Sequence, residues 1–278
     1  NGPRQVTSST PLTVPARGAQ RAVAVVAAVA SSLLLLFLAV PIGKLIGAGG
    51  ADGARRLFTD SELRQALGLT AGTATAATLL GVLGGTPLAW LLARREFRGR
   101  AVLAAVLDLP LLIPHPVAGI ALLLLLGRES AVGGGLLSIG LRIVGTPLGI
   151  IAAMLFVAAP LFISGAREAF ARVEPRFEAV ARTLGDSPLR AFLRVTLPLS
   201  RRGLIASAVV MWARAVSEFG AIVILTYNPK VASVLSYDRF TSFGLREALP
   251  VAAVLAMLAL IPLIALRTLR GADDGARS

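Results

Sequence analysis

Long apolar runs constrain this chain more than any other feature of its sequence. A helix needs about 20 mostly apolar residues to cross the hydrocarbon core of a bilayer. Six runs meet this requirement, at 22–42, 69–93, 101–126, 146–165, 203–226 and 249–269. Since 55% of the 278 residues are hydrophobic and only 15% are charged, the chain also exceeds what a soluble domain needs for its core. The sequence therefore predicts an all-α, polytopic membrane protein with six transmembrane helices.

The positions of the charges predict its orientation. A net charge of +13 in a soluble protein would suggest nucleic-acid binding. Here the charges lie between the apolar runs, without a nucleic-acid-binding motif, so we expect no nucleic-acid partner. Arginines concentrate at 94–100, at 166–202 and towards both termini, which predicts that these segments are cytoplasmic. The absence of cysteine excludes disulfides and thiolate metal sites, and we predict no metal site.

These observations predict four segments along the chain. They are a cytoplasmic tail over 1–21, a first transmembrane helix with an outer loop over 22–64, a transmembrane domain of five helices over 65–270, and a cytoplasmic tail over 271–278. In the second apolar run, Gly81 and Gly85 have the spacing of small residues that favours close helix packing. We expect ordinary packing within the chain there rather than a dedicated dimer contact.

The polar segment 166–202 is too long for a tight turn and too polar to enter the bilayer. Its apolar residues recur at helical spacing up to Gly185, at Phe170, Val173, Phe177, Val180, Ala181 and Leu184. Gly185 ends this amphipathic helix in the predicted structure, and Asp186 or Ser187 caps the next one. We expect Leu197 and Pro198 to redirect the chain toward the fifth membrane helix.

This segment resembles the EAA loop of type I ABC importer permeases. The resemblance rests on eight residues: Glu178, Ala179, Val180, Ala181, Gly185, Val195, Leu197 and Pro198. The family glutamate falls on Ala179 of this chain, so Glu178 stands one position early. In the family, the loop forms coupling helices that sit in a groove of the nucleotide-binding subunit. The alternative is a generic amphipathic surface helix.

The resemblance also implies partners. It implies two copies of this permease in the membrane lipid, two ABC ATPase subunits that bind ATP and Mg²⁺, and an extracytoplasmic oxyanion-binding protein. This chain has no G-x-x-x-x-G-K-[ST] sequence, so we expect no cofactor in it and no enzymatic activity of its own.

Three further stretches, 108–121, 213–221 and 227–240, are similar to permeases for molybdate, tungstate and sulfate. The last is most similar to the molybdate/tungstate branch. The resemblance therefore implies import of a tetrahedral oxyanion by alternating access, and sulfate or thiosulfate import is the alternative within the family.

Four polar residues are candidates for the translocation pathway or gate: His115, Arg214, Ser217 and Glu218. The third predicted span is interrupted by Pro110, Pro114 and Pro116, and backbone groups freed at membrane depth must be buried in protein or line a cavity. Arg214 and Glu218 stand four residues apart and share a helix face, where pairing lowers the cost of burying either charge. The alternatives are a packing hydrogen bond for His115 and a structural ion pair for Arg214 and Glu218.

Residues on the predicted outer side are candidates for docking the binding protein, namely Lys230, Tyr237 and Arg239. Alternatively, the aromatic residues there form an interfacial belt. Two other classes compete with the importer. A secondary transporter also has broken helices and intramembrane charge, but no inverted repeat is apparent. A membrane enzyme is disfavoured because one histidine and scattered carboxylates make a poor catalytic set.

Overall fold

The computed structural model describes residues 17–275, with some side chains near both ends of this range excepted. Residues 1–16 and 276–278 of the two predicted tails, Arg277 among them, therefore lie outside the described residues. The described part is helical and contains no strand. Its helices are α1 (Arg17–Thr59), α2 (Ser61–Arg94), α3 (Arg100–Leu112), α4 (His115–Leu126), α5 (Ala131–Ser138), α6 (Pro147–Ala171), α7 (Pro175–Thr183), α8 (Pro188–Ala191), α9 (Leu197–Val216), α10 (Gly220–Leu225), α11 (Ala232–Phe243) and α12 (Leu245–Gly275). A π-helical turn, Phe192–Thr196, joins α8 to α9.

The described residues divide into two units, the first ending at residue 44 and the second beginning at residue 45. In the described part of the first unit, the apolar side chains from Val23 to Ile42 are exposed, as lipid contact requires. In the second unit, the segment after residue 42 that was predicted as an outer loop is helical, because α1 continues to Thr59 and only Asp60 separates it from α2. The Asp60 side chain caps α2 by accepting a hydrogen bond from the Leu63 N–H at 3.0 Å.

Tertiary packing explains why this segment is helical. Gly49 and Gly53 lie against the backbone of α12, where a Cβ on either glycine would lie within 2.7 Å of a carbonyl oxygen. The Arg56 guanidinium binds Asp52 on its own helix at 2.9 Å and Glu247 on α12 at 2.6 Å. Charges that suggested a loop in the sequence are therefore paired, one within α1 and one between α1 and α12.

The structure does not confirm six continuous spans. Among the described residues, three helices are long and apolar enough to cross a membrane, and a fourth span results if α3 and α4 count as one. The predicted interruption of the third span is confirmed, because α3 and α4 meet at a bend of 114°. Pro114 marks the break, since Ile113 before it is extended, with ψ 145°. The predicted span 203–226 is also divided, because α9 ends at Val216 and α10 begins at Gly220.

The core of the second unit is built mainly from α2, α6 and α9. Small residues of α2 allow this close packing. A Cβ on Gly81 would meet Met211 of α9, and a Cβ on Gly85 would lie 2.9 Å from the Phe162 ring of α6. These contacts lie within one chain, which confirms the expected intrachain packing.

Gly84 and Gly85 provide a matched test of this packing. A Cβ on Gly84 meets nothing within 4 Å, whereas one on Gly85 collides with Phe162 and Ile163. We expect Gly85→Ala to destabilise the protein by roughly 1–3 kcal/mol through overpacking. Gly84→Ala should be neutral or stabilising by up to about 1 kcal/mol. Thermal unfolding in detergent measures both, and equal melting temperatures would contradict the packing assignment.

Candidate functional site

The two broken helices of the second unit meet at their breaks. Helix α4 lies directly against α10, and two glycines make this approach possible. A Cβ on Gly119 would lie 2.8 Å from the Ala221 carbonyl oxygen, and one on Gly220 would lie 2.7 Å from the His115 Cβ. The backbone interruptions after α3 and after α9 are therefore packed against each other inside the protein.

An ion pair with a histidine neighbour occupies this junction. The Arg214 Nη2 donates to Glu218 Oε2 at 2.7 Å and lies 2.8 Å from His115 Nε2. Because a guanidinium only donates hydrogen bonds, the imidazole nitrogen that it meets acts as acceptor. The structure thus forms the predicted Arg214–Glu218 pair and adds His115 from α4, a neighbour that the sequence did not reveal.

Glu218 is the most constrained member of this cluster, with 1% of its side chain exposed. Its Oε1 accepts from the Ala221 N–H at 2.8 Å, while its Oε2 faces Arg214. Ser233 Oγ donates to the Glu218 carbonyl at 2.7 Å. A buried carboxylate is tolerated because both of its oxygens have partners, so Glu218 fixes the turn between α9 and α10.

Arg214 and His115 are more accessible than Glu218 and line a cavity. The cavity has a volume of about 450 Å³, and its walls are His115, Pro116, Arg214, Ser217, Glu218, Phe219 and Gly220. The Ser217 hydroxyl is exposed and donates to the Arg214 carbonyl at 3.0 Å. All four predicted pathway residues therefore lie at one cavity, in which a guanidinium and an imidazole face open space. Within residues 17–275, no cluster of His, Asp or Glu could hold a metal ion.

The predicted elbow in segment 166–202 is present. Helix α7 ends at Thr183 and is followed by a left-handed Gly185, φ +99°, with hydrogen bonds from Gly185 N to Arg182 O and from Asp186 N to Ala181 O. This pattern is a Schellman motif, which explains the glycine. Ser187 then caps α8 by accepting from Arg190 N at 3.4 Å.

The end of the elbow differs from the prediction. Leu197 and Pro198 do not redirect the chain, because they form the first turn of α9 and continue the π-helical turn before it. The Leu197 N–H bonds to the Phe192 carbonyl, five residues back. Proline is tolerated at this helix start because its missing N–H has no required partner there.

Within the described residues, the elbow leaves several apolar side chains exposed. Phe177, Val180, Leu184, Leu189 and Leu193 have exposed fractions between 44% and 83%. The two residues at the start of the predicted apolar face differ, because Phe170 and Val173 are buried in the bundle. Helix α7 itself has no buried residue. Ala179 is exposed, whereas Ala181 and Val195 are partly buried.

Glu178 turns toward its own chain. Its Oε1 accepts a short hydrogen bond from the Thr196 hydroxyl and lies 3.5 Å from the Nε of Arg94, the last residue of α2. Arg94 and Thr196 were not among the predicted site residues, since they lie far from Glu178 in sequence and match no motif.

The predicted docking residues belong to an ionic network near the start of α2. Arg239 is buried and binds Asp60 at 2.7 Å and Glu62 at 3.0 Å. Lys230 binds Asp238 at 2.6 Å, which raises the pKa of Lys230 and lowers that of Asp238. Tyr237 is half exposed and packs on Phe219, 5.0 Å between ring centroids. The network ties α11 to α2 and, through Phe219, reaches the cavity wall.

Comparison with known proteins assigns the family. Residues 85–271 match the family described as binding-protein-dependent transport system inner membrane component. The chain belongs to this family of ABC importer permease subunits. Permeases of this family are multi-pass membrane proteins without a catalytic site, which agrees with the interpretation from the sequence.

The relatives of this chain include permeases that are named for oxyanion transport. The chain is 39% identical to the molybdate/tungstate transport system permease protein WtpB of Thermococcus kodakarensis, over 86% of this chain and 93% of the relative. It is 37% identical to a probable molybdenum ABC transporter permease protein of Haloferax volcanii, over 81% and 82%. A probable sulfate transport system permease protein of Nephroselmis olivacea is 31% identical over 80% and 81%.

Solved structures share the fold at low sequence identity. A chain of the bacterial alginate ABC transporter, in complex with its alginate pentasaccharide-bound periplasmic protein, gives a TM-score of 0.67 at 19% identity, covering 89% of this chain and 93% of its own. An inward-facing form of the MetNI methionine ABC transporter gives 0.58 at 16% identity, covering 76% and 95%. The predicted type I importer permease fold is therefore confirmed.

Replacing the buried carboxylate tests the cluster at the helix junction. Glu218→Gln keeps an oxygen for the Ala221 N–H but removes the charge that Arg214 faces. We expect a loss of roughly 1.5–3 kcal/mol in stability, the range for hydrogen bonds to charged groups. Glu129→Gln, at an exposed position on the connection after α4, is the matched control. The two variants are compared by thermal unfolding in detergent, and an unaffected Glu218→Gln protein would mean that the pair does not hold the turn.

Proposed function

We propose that this chain is the membrane-spanning permease of an ATP-driven importer for tetrahedral oxyanions, with molybdate and tungstate as its substrates. The observation that carries this proposal is the 39% identity with a molybdate/tungstate permease over 86% of the chain. The similarity to sulfate permeases supports the same class of anion, and sulfate or thiosulfate import is the second candidate at its lower identity of 31%.

The cavity at the junction of α4 and α10 is the proposed passage for the anion. Arg214 supplies positive charge to it, and His115 and Ser217 supply polar groups. A pore must bind its ion weakly enough to release it. Because Glu218 neutralises Arg214 at 2.7 Å, the cavity attracts an oxyanion through spare N–H donors without a strong excess of charge. Selectivity then rests mainly with the protein that delivers the anion.

The exposed apolar surface of the elbow is the proposed contact with the ATPase subunit. It presents Phe177, Val180 and Leu184 from the α7 side, beside Ala179. Exposed apolar patches of this kind mark interaction sites. The complex would contain two copies of this permease and two ATPase subunits that bind ATP and Mg²⁺. The elbow and both termini would then lie on the cytoplasmic side.

The opposite face, near the start of α11, is the proposed docking surface for an extracytoplasmic oxyanion-binding protein. Tyr237 contributes an exposed ring, and Lys230 a partly exposed ammonium group. Arg239 is engaged by Asp60 and Glu62, so its proposed role is to hold this surface in place.

Uptake measurements test the substrate. The permease is reconstituted in proteoliposomes with its ATPase subunit and its solute-binding protein, and radioactive molybdate is supplied outside. We expect ATP-dependent uptake that unlabelled tungstate suppresses and equimolar sulfate leaves nearly unchanged. Suppression by sulfate alone would favour the sulfate assignment, and uptake driven by an ion gradient without ATP would overturn the importer.

Gly185 tests the coupling role of the elbow. Its φ of +99° is unfavourable for a residue with a Cβ, although a Cβ would meet no atom within 4 Å. Gly185→Val therefore costs about 1–2 kcal/mol in backbone strain at the elbow alone. We expect this variant to insert normally but to lose most transport-coupled ATP hydrolysis.

The control is Gly185→Asn, because asparagine tolerates the left-handed conformation. It should retain most coupling. Normal coupling in Gly185→Val, measured as transport-stimulated ATP hydrolysis in proteoliposomes, would count against the coupling role.

A further inference from the structure

The side chain of Glu178 points away from the exposed surface of the elbow. Only 18% of it is exposed, although it belongs to a helix without any buried residue. Its Oε1 contacts Thr196 in the π-helical turn and Arg94 at the end of α2. If Glu178 bound a partner subunit instead, its side chain would have to break the contacts with Thr196 and Arg94.

Arg94 supplies a second, independent observation. Its side chain is 10% exposed, and its Nε and Nη2 atoms are buried without a hydrogen-bond partner. The 3.5 Å separation from Glu178 is an ion pair but exceeds ordinary hydrogen-bond length. A buried guanidinium whose only nearby carboxylate in the described structure belongs to Glu178 depends strongly on that carboxylate, since an unpaired buried charge is costly.

An aromatic contact between α2 and the π-helical turn lies about one turn from this cluster along each of the two elements. Trp90 precedes Arg94 by four residues, and Phe192 precedes Thr196 by four. Their rings meet edge to face, 5.6 Å between centroids, and Phe192 also contacts Phe170 of α6. The end of α2 and the π-helical turn are thus held by an apolar layer next to a polar one. Helix α7 contacts the bundle chiefly through the π-helical turn and α8, so Glu178 gives it a direct link to α2.

We propose that Glu178, Arg94 and Thr196 form an intrachain clasp that transmits movement of the elbow to α2 and α9. This inference rests on the proposed coupling role of the elbow. Arg94 and Thr196 act as positioning residues, because they contact neither the anion nor ATP. The clasp also accounts for the shift of Glu178 from the family position: its carboxylate serves this chain, and the exposed residues around Ala179 remain for the ATPase subunit.

A charge exchange tests the clasp. Arg94→Glu and Glu178→Arg each place two like charges next to each other. Each variant should therefore lower the amount of molybdate transported per ATP hydrolysed by roughly tenfold, which is the size typical of coupling between sites. The double variant restores opposite charges and should recover most of the ratio. If both single variants lose coupling and the double variant does not recover it in an assembled complex, the clasp is wrong and Glu178 acts on another subunit.

A milder pair of variants covers the case in which the exchanged charges prevent folding. Glu178→Gln leaves Arg94 buried without a carboxylate, whereas Glu178→Gln combined with Arg94→Met removes both charges. We expect the double variant to be the less impaired of the two. A double variant whose loss equals the sum of the single losses would also overturn the clasp.

The matched control is Glu174→Gln, at the residue before α7, whose side chain is 49% exposed and pairs with Arg176. This change should alter neither assembly nor coupling, because it removes only an exposed ion pair, which contributes little. Loss of coupling in this control would show that any charge change at α7 is harmful, and would remove the support for the clasp.

A distance measurement tests the clasp without transport. Because the chain has no cysteine, Arg98→Cys and Arg182→Cys introduce unique, exposed sites for spin labels. In a complex that combines one labelled copy of the permease with one unlabelled copy, the distance between the two labels should have one narrow distribution, which Glu178→Gln broadens and the Glu174 control does not. An unchanged distribution in Glu178→Gln would contradict the clasp. Absence of molybdate uptake by the unmodified complex would instead contradict the proposed substrate, so the two failures are distinguishable.

Discussion

The arrangement of the second unit depends on the burial of the Glu218 carboxylate at a helix break. A buried carboxylate needs a cation and hydrogen-bond donors, and Glu218 obtains them from Arg214 and the Ala221 backbone. These contacts fix the turn between α9 and α10. The turn also places α10 against α4, where Gly119 and Gly220 allow backbone contact. The cavity exists because two interrupted helices are held together at their interruptions.

The same chain solves a second problem at the elbow, where a polar segment must move with the bundle. Two local features shape it: the Schellman turn at Gly185 ends α7, and the π-helical turn joins α8 to α9. Aromatic packing of Phe192 between Trp90 and Phe170 anchors the second of these to α2 and α6. The π-helical end of the elbow is anchored and the α7 end is exposed. This arrangement suits a segment that is moved by a partner subunit and transmits the movement to the membrane helices.

Sequence patterns predicted local features well and distant pairings poorly. The glycine at the end of α7, the proline break before α4 and the Arg214–Glu218 pair all follow from residues close in sequence, where steric and helical periodicity rules apply. The helical extension of α1 to Thr59 was missed because one of its charges, on Arg56, is paired with Glu247 of α12, 191 positions away. The count of six spans was not confirmed, and one reason is that hydropathy does not register the break at Ser217 within the run 203–226.

By itself, the sequence determined that this chain is a helical membrane protein, that its elbow lies in 166–202, and that the elbow resembles that of importer permeases. Hydropathy, arginine placement and glycine conformation are properties of short segments, so they can be read from the sequence before the fold is known. Tertiary structure alone decided that His115 joins Arg214, that Arg239 is buried, and that Glu178 faces Arg94 and Thr196. Those facts depend on which helices pack together, and no periodicity in one segment specifies the partner that neutralises its charge.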